Sequence, residues 1–204
     1  LGVVESVRTN AANIATMFGL EAEVDELMAA FDERIAALQE FAVGKTCIVG
    51  LVTSGSCNLL GNDGRCSIVG NEIGFENVAS EEVTATHGNE SSFETIVSLD
   101  PDYIFILDRD TAIATEGAQL AAEVMDNELV NGTRAVQDGH MVIFEHPAVW
   151  YTAEGGIEAL DVMLADLEGP LLGATAEGDA APAEEESAAE DEGEPAGEDA
   201  AAEK

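Results

Sequence analysis

The sequence predicts an α/β fold in which helices cover a largely parallel, Rossmann-like sheet. Two observations support this. From residue 46 onward, short runs that are apolar along their whole length alternate with runs of helical spacing. Strands buried on both faces read as continuous apolar runs, and their alternation with helices is typical of a parallel sheet. About 170 residues precede a low-complexity end, which is enough for one hydrophobic core.

Two helices are predicted before the first strand. Residues 6–18 have helical spacing at Val7, Ala11, Ile14 and Phe18, and Gly19 can cap the C-terminus. Residues 21–41 repeat apolar side chains at helical spacing for about six turns, at Val24, Leu27, Phe31, Ile35 and Leu38. We expect this second helix to have little sheet of its own to pack on, which suggests a further lobe on its other side.

The remaining elements follow in order after Gly44. The β-rich and helical runs are 46–53, 66–75, 83–86, 91–99, 103–107, 117–125, 141–145 and 155–167. Ser91 with Glu94 forms a capping box for the helix over 91–99, and Asp100-Pro101 marks the turn before the strand over 103–107. We therefore divide the chain into a helical segment over 1–43, an α/β ligand-binding lobe over 44–170 and a tail over 171–204.

The composition limits the possible partners. The chain has 42 Asp+Glu against 7 Lys+Arg, a net charge of −35, which disfavours binding to nucleic acid or to anionic lipid. The tail is rich in Ala, Glu, Asp and Gly and is predicted to be a disordered acidic spacer. No stretch reads as a membrane span. The opening "LGVVESVRTN" has neither an initiator Met nor signal-peptide features, so the chain looks trimmed there.

The three cysteines do not form a metal motif, because they are odd in number and lack a Cys-x-x-Cys pair. Cys47 lies in an apolar run and is expected to be a buried small hydrophobe. Cys57 and Cys66 flank a Gly-rich loop, and their pairing in an oxidising compartment stays open. Dinucleotide, Walker, zinc and Gly-x-Ser-x-Gly signatures are also absent from the sequence.

Unusual side chains follow the predicted strands, where open α/β sheets bind their ligands. They are Arg65, His87, Arg109, His146, Trp150 and Tyr151. Each has an ordinary alternative: the arginines can pair with nearby acids, the histidines can be turn residues, and Trp150 and Tyr151 can be packing anchors. Two arginines together suit a polyanionic ligand. Imidazole and phenolate donors suit Fe(III), so an anionic iron chelate would use both kinds of group.

At these residues the chain resembles the C-terminal half of siderophore-binding proteins of ABC transporters, in the branch that takes up ferric catecholates. The matching motifs are "LGVVESVRTNAANIATMFGL", "GRCSIVGNEIGF", "THGNESSFE", "DPDYIFILDRD", "NELVNGTRAVQDGHMVIFEHPAVWY" and "GGIEALDVML". The resemblance implies a two-lobed fold of the periplasmic-binding-protein type. In that fold, residues 1–43 would be the interlobe helical segment and the ligand would lie in the cleft between the lobes.

The resemblance also implies site residues. Arg65 and Arg109 match the family's arginines that contact catecholate oxygens, and His87 and Tyr151 match the side chains that complete iron coordination around a tetradentate siderophore. Trp150 is expected to join the ligand-binding residues. Cys66 stands where the family has Phe, so the loop there is expected to be reshaped. The N-terminal lobe is not in this sequence, so we expect the half cleft to bind weakly. His140 and His146 are expected to be structural.

The function implied is that of a monomeric, non-enzymatic extracytoplasmic receptor. It would capture an iron(III)-siderophore and deliver it to an ABC permease, with no intrinsic cofactor. It would be located in the periplasm or held at the cell surface by a lipid anchor. The signal sequence and the anchor would lie outside this sequence. Three alternatives remain open: a haem- or cobalamin-binding protein of the same fold, an enzyme using His87 with Arg65 and Arg109, and an interaction module.

Overall fold

The fold is seen in a computed structural model of the chain, whose described residues are 2–79, 89–90 and 93–173, with the backbone alone at 89–90. The predicted strand over 83–86, His87 and Ser91 lie outside these ranges, as does nearly all of the predicted tail. The division of the chain into the segments 1–43, 44–170 and 171–204 stays a prediction.

Helices and strands alternate along the described chain as the sequence predicts. The strands are β1 Thr46–Thr53, β2 Ser56–Leu60, β3 Glu76–Asn77, β4 Asn89–Glu90, β5 Tyr103–Asp108 and β6 Met141–Ile143. The first helices are α1 Val3–Phe18, α2 Glu21–Ala42, α3 Ser67–Asn71, α4 Phe93–Leu99 and α5 Arg109–Ala112. The later helices are α6 Ala121–Met125, α7 Glu128–Asn131, α8 Arg134–Gln137, α9 Pro147–Thr152 and α10 Ile157–Leu172.

The sheet is open and largely parallel, which confirms the predicted fold class. Its described strands follow the order β4-β2-β1-β5-β6, and β3 pairs with β1 off this path. The pairs β1–β3, β1–β5 and β5–β6 are parallel. The pairs β1–β2 and β2–β4 are antiparallel. The carboxyl ends of β1, β5 and β6 therefore lie along one edge of the sheet.

The sequence pattern does not predict strand β2, because Ser56–Leu60 lies in the Gly-rich segment between the predicted runs 46–53 and 66–75. Thr53 pairs with Ser56, so a two-residue turn joins β1 to β2. Both turn residues have positive φ, 51° at Ser54 and 75° at Gly55. This is the backbone of a tight hairpin turn whose twist matches that of the strands it joins.

Alternate residues of the central strands fill two cores, one on each face of the sheet. Val49, Leu51, Phe105 and Leu107 lie in one core, whereas the neighbouring Ile48, Val52, Ile104 and Ile106 lie in the other. This period of two places each buried strand between two layers of side chains. Because both faces of these strands are buried, apolar residues occupy every position along them, which explains the continuous apolar runs in the sequence.

Helix α2 belongs to the first of these cores, and its main neighbours are the helices α1 and α10. Met28, Phe31, Ile35 and Leu38 lie in the same core as Val49 and Phe105 of the sheet. Helix α2 is also tied to α10, because Nε and Nη2 of Arg34 donate to the two carboxylate oxygens of Glu168, each at 2.8 Å. A charge-assisted pair of this bidentate kind adds geometric specificity to the packing.

The predicted apolar stripes of the first two helices are buried only in part. Ile14 and Phe18 of α1 are 53% and 71% exposed, and in α2 Leu27 is 37% exposed whereas Met28 is 2% exposed. Helical spacing indicates one apolar face, but the neighbours that cover this face decide which of its turns are buried. Among the described helices, none has both the length and the apolar character that crossing a membrane requires.

The cysteines are free and buried. Cys57 lies in one core and Cys47 and Cys66 lie in the other, so the sheet separates Cys57 from Cys66. A disulfide between Cys57 and Cys66, which the sequence left open, is therefore absent. Burial raises the pKa of the Cys47 and Cys57 thiols to about 12 and also raises that of Cys66.

Candidate ligand-binding site

Three of the predicted site residues meet at the carboxyl edge of the sheet. Arg109 is the first residue of α5, directly after β5, and Tyr151 lies in α9, which follows β6. Arg65 precedes α3 and reaches the same place although β2 intervenes between it and β1. The three side chains therefore meet at one edge of the sheet, as expected from their places after predicted strands, and their role in ligand binding stays a prediction.

The phenol of Tyr151 lies against both guanidinium groups. Nε of Arg109 donates a hydrogen bond to the Tyr151 Oη at 3.0 Å, and Nε of Arg65 donates to the Tyr151 main-chain oxygen at 3.0 Å. The guanidinium carbon of Arg65 is 4.3 Å from the centre of the phenol ring, and that of Arg109 is 5.6 Å from it. All three residues are partly exposed. We call them the rim cluster.

The position of Arg109 depends on the end of β1. Nη1 of Arg109 donates to Thr53 Oγ1 at 3.2 Å and to the buried Asp110 carboxylate at 3.1 Å. Asp110 also accepts hydrogen bonds from the Ser54 N–H at 2.6 Å and from Thr53 Oγ1 at 3.1 Å. The Ser54 hydrogen bond lowers the pKa of Asp110, with a smaller contribution from Arg109. The hydrogen bond to Tyr151 raises the pKa of Arg109.

The position of Arg65 depends on the residue after it. Cys66 has a left-handed backbone, with φ at 60°, and its N–H donates to Glu154 Oε1 at 3.1 Å. Its side chain is buried in the core. Together with the Arg65–Tyr151 hydrogen bond, this contact joins the loop before α3 to the segment that ends α9. Burial raises the pKa of Glu154, and the negative charge of Glu72 adds to the rise.

Trp150 does not belong to the exposed part of the site, which corrects the expectation that it contacts the ligand. It is 0% exposed, and its ring stacks on Phe144 with the ring centres 3.9 Å apart. Its indole Nε1 donates to the buried carboxylate of Asp166 at 2.9 Å. A large amphipathic ring next to the sheet gains more from burial than from exposure, so Trp150 anchors α9 and Tyr151 emerges beside it.

The histidines that the sequence treated as structural make local contacts. Nδ1 of His140 lies 3.1 Å from the main-chain oxygen of Asp102, and its ring stacks on Tyr103. His146 precedes α9, and both its N–H and its Nδ1 lie within hydrogen-bonding distance of Asp166. His87, the predicted second metal ligand, lies outside the described residues.

The sequence names Asp110 as a possible partner of Arg109, and the structure confirms this pair. It gives no such indication for Glu154 and Asp166, which hold the loop before α3 and helix α9 in place. One signal was available for Asp166, because it falls between Leu164 and Leu167 on the apolar face of α10. A carboxylate on a buried helical face needs hydrogen-bond donors from neighbouring elements, here the His146 N–H and the Trp150 indole.

A second group of side chains that could hold a metal ion lies near α9. Ligand atoms of Glu145, His146 and Asp166 lie within 4.8 Å of one another. The Asp166 carboxylate is already engaged with the His146 N–H, His146 Nδ1 and the Trp150 indole. The ordinary reading of this group is a hydrogen-bonded support for α9.

Comparison with known proteins places the chain in a family. The sequence profile of the family described as periplasmic binding protein matches residues 2–147. The petrobactin-binding protein YclQ of Bacillus subtilis is 29% identical over 170 residues, and the match covers 82% of this chain and 53% of YclQ. The ferric-anguibactin-binding protein FatB of Vibrio anguillarum is 24% identical over 166 residues, covering 80% of this chain and 51% of FatB.

Solved structures agree with the sequence match. The crystal structure of the catecholate-siderophore binding protein VctP from Vibrio cholerae superposes with a TM-score of 0.75 at 25% identity, covering 82% of this chain and 60% of VctP. That of YclQ gives a TM-score of 0.73 at 30% identity, covering 82% and 58%. The chain spans about half the length of the curated relatives it matches. By its sequence match and by its fold, the chain belongs to the periplasmic binding protein family.

Proposed function

We propose that the protein is the extracytoplasmic solute-binding component of an ABC importer, and that it captures an iron(III)-siderophore of the catecholate type for delivery to the permease. The observation that carries this proposal is the rim cluster. The phenol of Tyr151 contacts the guanidinium groups of both Arg65 and Arg109 at the edge where parallel sheets bind ligands.

The chemistry of these groups suits a ferric catecholate. A phenolate oxygen is a hard anionic donor of the kind that Fe(III) prefers, and guanidinium groups pair with the negatively charged catecholate oxygens. The net charge of −35 opposes the approach of an anion. Salt screens the distant acids over a Debye length of about 8 Å, so the arginines dominate at contact distance.

His87 is proposed as the second protein ligand to iron, by its place in the His-Gly motif. Trp150 is not proposed as a ligand contact, because its ring is buried. The Fe(III) is cargo that arrives in the chelate, so the proposal includes no resident cofactor. The protein is proposed to work as a monomer outside the cytoplasm.

The relatives support the ligand class. YclQ is named for petrobactin, FatB for ferric anguibactin and VctP for catecholate siderophores. A binding role is proposed rather than catalysis, because the rim cluster consists of two guanidinium groups and a phenol, which bind anions and metal ions. Binding of haem or cobalamin on the same fold is the alternative to be tested.

The test is a titration of the chain with a ferric bis-catecholate whose two catechol rings are joined by a linear spacer. Its absorption band and the fluorescence of Trp150, the chain's single tryptophan, are followed together. We expect the band to shift on binding, and we expect Tyr151→Phe and His87→Ala each to remove the shift. The matched control is Tyr103→Phe, which changes the other tyrosine of the chain, a residue buried in the core.

A chelate spectrum that is unchanged in all four proteins would contradict direct coordination by the protein. Haem, cobalamin and a hexadentate ferric chelate would then be titrated in the same way. A shift that survives in Tyr151→Phe would show that the iron binds elsewhere.

A further inference from the structure

We infer that the two arginines of the rim cluster have different roles: Arg65 binds the anionic ligand, whereas Arg109 is a positioning residue that acts through Tyr151. This inference rests on the proposed function. It departs from the expectation that both arginines clamp the catecholate oxygens.

The two guanidinium groups differ in how many of their N–H donors already have a partner. Each offers five N–H donors. Arg109 uses three of them, through Nε on Tyr151 Oη and through Nη1 on Thr53 and Asp110. Arg65 uses its Nε on the Tyr151 main-chain oxygen, and the described residues offer no hydrogen-bond partner to its Nη1 and Nη2. Within the described part of the chain, the outer edge of Arg65 therefore has unused donors that could bind a pair of anionic oxygens.

The two arginines also differ in how closely a carboxylate balances their charge. Arg109 forms an ion pair with Asp110 at 3.1 Å, and Asp110 is buried with 4% of its surface exposed. The positive charge of Arg109 is therefore largely balanced within the protein. Within the described residues Arg65 makes no ion pair, so its charge is balanced less closely: the Glu154 carboxylate acts on it from beyond ion-pair distance, and Glu154 Oε1 accepts from the Cys66 N–H.

The contacts of Arg109 instead define the orientation of the phenol. Its Nε is bonded to Oη, while Nη1 is held by side chains at the end of β1 and the start of α5. Because a planar guanidinium is rigid, these bonds transmit the position of β1 to the Tyr151 oxygen. Arg109 thereby aims the oxygen that would bind iron and donates a hydrogen bond to it.

A double-mutant cycle tests this division. The dissociation constant of the same ferric bis-catecholate is measured for the full chain, Arg109→Gln, Arg65→Gln, Tyr151→Phe and the two double variants with Tyr151→Phe. If Arg109 acts through Tyr151, Arg109→Gln weakens binding about 10-fold in the parent but by less than about 2-fold in the Tyr151→Phe background. Arg65→Gln weakens binding by about 10- to 100-fold in both backgrounds, because it removes charge-assisted bonds to the ligand itself.

Thr53→Val provides a second route if Arg109→Gln does not fold. It removes the hydroxyl that accepts from Arg109 Nη1 and keeps the shape of the side chain. We expect a smaller loss of affinity, which also disappears in the Tyr151→Phe background.

Equal losses for Arg109→Gln in both backgrounds would overturn the inference and make Arg109 a direct ligand contact. Different results would contradict the proposed function itself. If Tyr151→Phe leaves both the affinity and the spectrum of the bound chelate unchanged, Tyr151 does not bind iron. If the parent does not bind the chelate even at concentrations that would detect the weak binding expected of a half cleft, the ligand class is wrong and the division of roles falls with it.

Discussion

The indole of Trp150 donates a hydrogen bond of 2.9 Å to the carboxylate of Asp166 in the middle of α10. The same carboxylate accepts the N–H of His146 at 3.1 Å and lies 2.7 Å from Nδ1 of that residue. One buried acid thus ties both the start of α9 and its central side chain to α10. Because Tyr151 follows Trp150 directly, this contact decides where the phenol reaches the sheet edge.

Loss of this carboxylate should destabilise the fold. We expect Asp166→Ala to lower the free energy of unfolding by about 3 kcal/mol, since it leaves buried donors without an acceptor. The measurement is urea unfolding followed by far-ultraviolet circular dichroism. Asp161→Ala is the matched control on the same helix, because that side chain is 61% exposed and pairs with Arg34 at the surface, where such pairs contribute up to about 1 kcal/mol. Equal losses in both variants would contradict a special role for Asp166.

Neutralising Glu154 should help both the fold and the binding of an anion. Burial raises the pKa of this carboxyl, so the folded state loses stability as the pH rises through that raised pKa and the group ionises. Glu154→Gln keeps an oxygen for the Cys66 N–H and removes the charge. At neutral pH we expect a higher midpoint of urea unfolding than in the parent and a few-fold tighter binding of the ferric bis-catecholate. A lower midpoint would show that the charge of Glu154 is needed for the contact with Cys66.

Protonation of the Asp102 carboxylate should account for part of the stability that the fold loses at acidic pH. Hydrogen bonds from the Thr46 N–H, and then from its hydroxyl, lower the pKa of this carboxyl, although burial opposes the shift. A lowered pKa in the folded state stabilises the fold above the ordinary pKa of Asp, and this contribution is lost as the pH falls through the folded-state value.

Asp102→Asn should therefore be less stable than the parent by about 1 kcal/mol at pH 7, with a smaller difference near pH 3. The unfolding free energy is measured between these pH values, with Asp25→Asn on the exposed face of α2 as the control. A difference that stays constant over the range would show that Asp102 is not ionised preferentially in the folded state.

The thiols should be protected in the native protein. All three cysteines are buried and unpaired, and burial raises the pKa of each thiol. Because the thiolate is the reactive form, a disulfide reagent such as Ellman's should react with none of them at pH 8 in the folded state and with all three in denaturant. If only one thiol reacts in denaturant without reductant, two cysteines are paired and the separation of Cys57 from Cys66 by the sheet is wrong.

The sequence predicted the α/β class because apolar runs and helical runs are local patterns. The boundaries of β1 and β5 follow directly from where their apolar runs begin and end. Strand β2 escaped prediction because its turn chemistry, with positive φ at Ser54 and Gly55, was attributed to a loop. The periodicity of α2 predicted its apolar face, but periodicity alone does not say that α1 and α10 are the neighbours of this helix.

By itself the sequence determined the order of elements, the acidity of the chain and the appearance of Arg65, Arg109 and Tyr151 after apolar runs, because these are properties of composition and short-range spacing. Tertiary structure decided which groups meet. It buried Trp150 against Phe144, held Arg109 on Thr53 and Asp110 and, among the described residues, gave the outer edge of Arg65 no hydrogen-bond partner. The physical reason is that hydrogen-bond partners and burial depend on contacts between residues far apart in the chain, such as Arg65 and Tyr151, and such contacts have no local signal in the sequence.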